Sequence, residues 1–136
     1  MSIKAVIDTN VLVSSFLSKN PLSLPVKIAD AILDGRFTPV YSQGMTDEYE
    51  EVLGRAYLKL PKDRVHAMLA HIKTLGEAVE PTESDAHFPD SDDKVFFCTA
   101  LAADADDPLL VTGNAKHYPP ADFVVTPAEF CDLLGI

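Results

Sequence analysis

Asp8 and Asn10 stand directly after the apolar run Ile3 to Ile7, Asp92 and Asp93 open a later apolar segment, and Glu48 lies in an acid-rich stretch between them. Hard divalent cations such as Mg²⁺ take carboxylate and water oxygens, so a few inward-facing carboxylates can hold an ion and leave positions for a substrate phosphate. A site of this kind activates water and stabilises charge growing on phosphorus. Each acid also has a structural explanation. Asp8 could cap the helix that follows it, Asp92 and Asp93 could complement a helix dipole, and Glu48 could be a solvated surface acid. Three acid groups at sheet-end positions of one domain are nevertheless more than capping requires.

Other chemistries lack their residues. The sequence contains no GxxxxGK[ST] phosphate loop, no GxGxxG and no GxSxG nucleophile turn, which removes the common nucleotide, dinucleotide and serine-hydrolase readings. His66, His71 and His87 show no Hx₃H spacing, and His66 and His71 fall on different helical faces, so no zinc is assigned to them. Cys98 and Cys131 each sit in an apolar helical pattern without a CxxC, which favours buried thiols over a disulfide.

The elements that must position the acids follow from periodicity. Ile3 to Ile7 reads as a strand ending in Asp8-Thr9-Asn10, where turn and capping residues start a helix. A second helix fits Leu24 to Leu33, with Pro25 in its first turn and Gly35 at its end. Phe37 to Tyr41 returns as strand. Met45 to Leu58 carries Tyr49, Val52, Leu53 and Ala56 on one stripe and predicts a helix with an acidic first turn; Pro61 to Leu75 predicts its antiparallel partner. A short strand-like AVE precedes Pro81, and Thr82 to Asp90 reads as a polar loop. Ser91 is placed to cap a helix through Ala102, Leu109 to Thr112 reads as a buried strand, and Phe123 to Val125 as another. Thr126 then caps a closing helix, with Pro127 as its first residue and Glu129 to Leu134 as its body.

Strands alternating with helices predict a three-layer α/β/α sandwich with a central, mostly parallel sheet of four to five strands, in one domain spanning residues 1–136. Ligands in such sheets bind beyond the carboxyl ends of the strands, which directs attention to Asp8, Ser42 and Gly113. Ser42 and Thr112 could hydrogen-bond a ligand or cap helices, and capping is the commoner use.

The chain of 136 residues is 47% hydrophobic and 24% charged, an ordinary globular composition. Eleven basic against twenty-one acidic residues give a formal charge of −10, which works against non-specific attraction to a phosphate backbone. Divalent cations in a carboxylate cluster, or a basic partner covering it, would resolve that conflict. The N-terminal apolar run is too short and too interrupted for a signal peptide or membrane span, so a cytoplasmic protein is expected.

Four segments, VIDTNVLVSSF, YSQGMTDEYEEVL, DSDDKVFFCTALA and LLVTGNAKHY, follow the order and spacing of the PIN-domain family, and the chain most resembles the bacterial toxin components of toxin–antitoxin systems related to the VapC ribonucleases. The resemblance covers nearly the whole chain. It implies a metal-dependent endoribonuclease in which Asp8, Glu48 and Asp93 bind Mg²⁺ or Mn²⁺ and Asn10 orients the first acid. Asp92 beside Asp93 is a supporting candidate, but successive helical residues point in different directions, so both are not expected to bind one metal. Asn114 and His117 stand where many relatives offer an aspartate; an amide oxygen and an imidazole there favour Mn²⁺ over Mg²⁺. The resemblance further implies a single-stranded or loop RNA substrate, a cognate antitoxin protein and a homodimer. The alternative that the missing acid raises is a PIN-like module with weak or no catalysis, working in binding or assembly.

Overall fold

The computed structural model describes residues 3–86, 88, 91–103 and 108–136. Five strands, β1 (Lys4–Ile7), β2 (Thr38–Tyr41), β3 (Glu77–Ala78), β4 (Leu109–Val111) and β5 (Val124–Val125), form one sheet in the order β3-β2-β1-β4-β5. Every neighbouring pair is parallel. The α-helices among the described residues are α1 (Thr9–Leu17), α2 (Leu24–Leu33), α3 (Gln43–Leu53), α4 (Lys62–Leu75), α5 (Lys94–Ala102) and α6 (Pro127–Leu134).

The first apolar run becomes the central strand. Ala5, Val6 and Ile7 are at most 1% exposed, because helices cover both faces of a parallel sheet and leave a strand no polar side. α5 packs on β1, β2 and β4, while α1, α2, α4 and α6 form a connected group that reaches the sheet through α4 and β2. Pro39 sits inside β2 opposite Ala5. Thr38 N donates to Ile3 O at 2.9 Å, so Pro39 turns its missing N–H away from β1, to the side where β3 pairs only from Val40 onward.

Close approach decides one glycine. A Cβ at Gly76 would stand 2.3 Å from Ile72 O and 2.6 Å from Pro39 O, so only glycine lets the end of α4 turn directly into β3. At the other end of the chain, Thr126 and Glu129 form a capping box on α6, with Glu129 N donating to Thr126 Oγ1 at 3.1 Å and Thr126 N to Glu129 Oε1 at 2.9 Å.

The structure differs from the sequence reading in three segments. The helix expected over Met45 to Leu58 begins at Gln43 and stops at Gly54; a separate 3₁₀ turn covers Ala56–Leu58. With two residues added in front, its first turn contains no acid. Ser91 does not cap α5: Ser91–Asp93 is itself a 3₁₀ turn, and Asp93 takes the N-cap position. The AVE strand, expected over Ala78 to Glu80, is β3, which starts one residue earlier and ends two earlier, at Glu77–Ala78. Of the loop expected over Thr82 to Asp90, His87, Pro89 and Asp90 lie outside the described residues.

Candidate active site

Asp8 is fixed by the last rung of the central ladder. Its N–H donates to Val111 O at 3.0 Å, which sets it at the carboxyl end of β1 beside Thr112, at the end of β4. Here the strand order reverses, with β2 and β3 running out to one side and β4 and β5 to the other. Open parallel sheets bind ligands at such a switch point.

Three neutral donors converge on one oxygen of Asp8. Thr112 Oγ1 donates to Asp8 Oδ2 at 2.7 Å, Tyr118 Oη at 3.0 Å and Asn10 Nδ2 at 3.2 Å. Asn10 Oδ1 accepts from Gly113 N at 3.3 Å, and Thr112 Oγ1 accepts from Asn114 N at 3.0 Å. The loop after β4 is thus tied to the turn after β1. Burial pushes the Asp8 carboxyl above the ordinary carboxylate range, opposed by the Thr112 and Tyr118 hydroxyls and by the Asn10 and Thr9 backbone. Burial and then the charge of Asp8 also push the Tyr118 phenol up. Tyr49, buried on α3, has the same two causes acting on it and donates its hydroxyl to Ile7 O.

A cavity of about 440 Å³ opens over this point, walled by Asp8, Thr9, Asn10, Val13, Ser14, Glu48, Val52, Arg55, Asp92, Asp93, Phe96, Asn114 and His117. Glu48 enters from α3, Asp92 and Asp93 from the 3₁₀ turn before α5, and Asn114 and His117 from the loop after β4. Asp92 lines this wall together with Asp93. A hollow of about 470 Å³ between α3 and α4 has one carboxylate, Glu50, and that acid is paired with Lys73 at 3.0 Å.

Two residues at strand ends take roles other than side-chain capping. Ser42 occupies the N-cap position of α3, yet its hydroxyl bonds Thr99 Oγ1 at 2.7 Å and it is buried outside the cavity wall. Thr112 is also outside the wall and acts on Asp8 from behind. Tyr118 and Arg55 were not singled out from sequence. Tyr118 closes the LLVTGNAKHY segment, and its ring is held by Phe88 and Phe97. The sequence signal for it was an aromatic just beyond a strand-end polar motif. Arg55 follows Gly54, the break in the α3 pattern.

The family profile described as PIN domain matches residues 4–116. The chain belongs to the PIN-domain family. No curated protein sequence matches it. The five-stranded parallel sheet flanked by helices agrees with a PIN-like fold, which is a nuclease fold in general, and PIN domains generally use divalent metals. Among the described residues, however, no three His, Cys, Asp or Glu side chains are gathered closely enough to hold an ion as they stand. Like charges resist such an approach until a cation neutralises them. The donor chemistry of this PIN domain still suits a hard cation: its wall combines carboxylate and amide oxygens. Thr9, in the same wall, keeps a buried Oγ1 with no hydrogen-bond partner among the described residues.

Proposed function

We propose that the chain is an Mg²⁺- or Mn²⁺-dependent endoribonuclease that hydrolyses phosphodiester bonds in single-stranded or loop RNA, the toxin component of a toxin–antitoxin system acting in the cytoplasm. The observation that carries this reading is the meeting of Asp8, Glu48 and Asp93, from three separate elements, around one cavity at the switch point of a PIN sheet. In it, Asp8, Glu48 and Asp93 hold the cation, with Asp92, Asn114 and His117 as further donors in the wall. When bound, the ion supplies Lewis-acid stabilisation of charge at phosphorus and acidifies water. The protein's own part is positional. Thr112, Tyr118 and Asn10 hold the Asp8 carboxylate in one orientation, and Asn10 and Asn114 present amides to whatever occupies the cavity.

The resemblance of the four motif segments to toxin components supports the biological role, a cognate antitoxin covering the acidic cavity, and a homodimer. An exposed single strand bends into such a site more readily than a duplex does. Labelled single-stranded RNA incubated with wild-type or Asp8→Asn protein, in Mg²⁺, Mn²⁺ or chelator, tests the reading. Metal-dependent cleavage that disappears in the variant supports it. Absence of cleavage in every condition, with no metal binding by calorimetry, favours the second reading. In that reading the chain is a PIN-like binding module without catalysis, an option motivated by Asn114 and His117 standing in place of an acid and by the dispersed carboxylates.

A further inference from the structure

The acidic cavity has a cation built into its wall. Arg55 lies there between Val52 of α3 and the 3₁₀ turn Ala56–Leu58. Glu51 holds its Nε at 3.2 Å and its Nη2 at 2.7 Å, and Tyr57 Oη accepts from Nη1 at 3.4 Å. A guanidinium has five N–H donors, so one held through this fork keeps others for a phosphate while its orientation is fixed in advance. Tyr57 is 72% exposed, an unusual amount for a tyrosine and one that leaves the ring face open. Lys59, in the left-handed region at φ 53, turns the chain immediately after the 3₁₀ turn and is itself exposed. In a protein of formal charge −10, four of the eleven basic residues, Arg55, Lys59, Lys62 and Arg64, fall within ten positions of sequence; Lys62 borders the hollow between α3 and α4 and Arg64 lies over the Phe16 ring, whereas Arg55 lines the acid cavity.

We propose that Arg55 and Tyr57 form a nucleotide clamp at the mouth of the cavity. The guanidinium meets a backbone phosphate flanking the cleaved bond, the phenol ring stacks on the base of that nucleotide, and Lys59 continues the phosphate track away from the acids. The clamp rests on the nuclease reading above and deepens it, because a base must be unstacked to reach Tyr57, which selects single-stranded over duplex substrate. It also lets an acidic protein hold a polyanion, by placing the Arg55 guanidinium in the wall of the acid cavity.

The test is equilibrium binding of a fluorescent single-stranded RNA oligonucleotide in an Asp8→Asn background, followed by steady-state cleavage in the native background. Tyr57→Ala is expected to weaken binding by roughly 5- to 100-fold, the range of one base–aromatic stack, with Tyr57→Phe near the parent. Arg55→Gln is expected to weaken binding and lower the salt slope by about one. Lys27→Gln on α2, a charge loss remote from the clamp, is expected to change neither. In cleavage, Tyr57→Ala raises KM and leaves kcat within about 3-fold. Circular dichroism checks the fold of each variant. Cleavage by the wild type with KM and binding unmoved in Tyr57→Ala and Arg55→Gln overturns the clamp and leaves the nuclease reading standing. A wild type that neither binds nor cleaves RNA overturns both.

Discussion

At the scale of residues, Asp8 is a buried charge that the fold tolerates at a cost. Its carboxyl is lifted by desolvation, so the folded protein carries no penalty below the ordinary carboxylate range, where the group is protonated folded or unfolded. The penalty is complete above the raised folded value, where it is ionised in both states; stability from this group is lost as pH rises through that value. Asp8→Asn is therefore expected to raise Tm by a few degrees at pH 7, with the gap closing as pH falls below the ordinary carboxylate range in a calorimetric series. The same substitution should cost roughly 100-fold or more in cleavage. Tyr118→Phe removes one donor from Asp8 Oδ2, which raises the Asp8 carboxyl further; the acid limb of the pH–rate profile should move to higher pH with the plateau less affected. A plateau that collapses while the limb stays fixed would show that Tyr118 acts in some other way. Asp8 was legible in sequence because a polar turn cut off an apolar run. Tyr118 was not, since nothing local reveals a hydrogen bond spanning 110 positions.

At the scale of elements, the turn from α4 into β3 depends on Gly76. With two carbonyl oxygens inside 3 Å of where its Cβ would stand, Gly76→Ala is expected to cost roughly 1–3 kcal/mol in urea unfolding. The capping box on α6 predicts a smaller effect, about 1 kcal/mol for Thr126→Ala. Helix α2 was readable residue by residue, from Pro25 in its first turn to Gly35, whose φ of 72° continues the chain past the C-cap at Asp34. The end of α3 was not, because the stripe Tyr49, Val52, Leu53 and Ala56 continues in register across Gly54, and hydrophobic spacing does not distinguish an α-helix from an α-helix followed by a 3₁₀ turn. Arg55, which falls in the last turn of the expected helix, follows the true helix end at Gly54 and lies in the cavity wall.

At the scale of the whole molecule, the excess acid is partly concentrated in one cavity, so a cation that binds there should stabilise the fold through linkage. At a hundred times its Kd the gain is about 2.7 kcal/mol, visible as a Tm rise with Mn²⁺ in the wild type and absent from Asp8→Asn. An equal rise in both would place the bound ion elsewhere. No helix among the described residues is long and apolar enough to cross a membrane. The alternation of strands and helices made the parallel sheet legible, but the strand order that sets the switch point between β1 and β4 depends on pairings between segments about a hundred residues apart, to which local pattern is blind.

The central position of β1 has a consequence for synthesis. β1 leaves the ribosome before β2 and β4, which flank it in the finished sheet, and hydroxyls that orient Asp8 come from Thr112 and Tyr118. A nascent chain therefore carries Asp8 long before it can organise it, because Thr112 and Tyr118 follow it by 104 and 110 residues. An incomplete chain, or one released early, keeps that acid in a sheet without its central ladder.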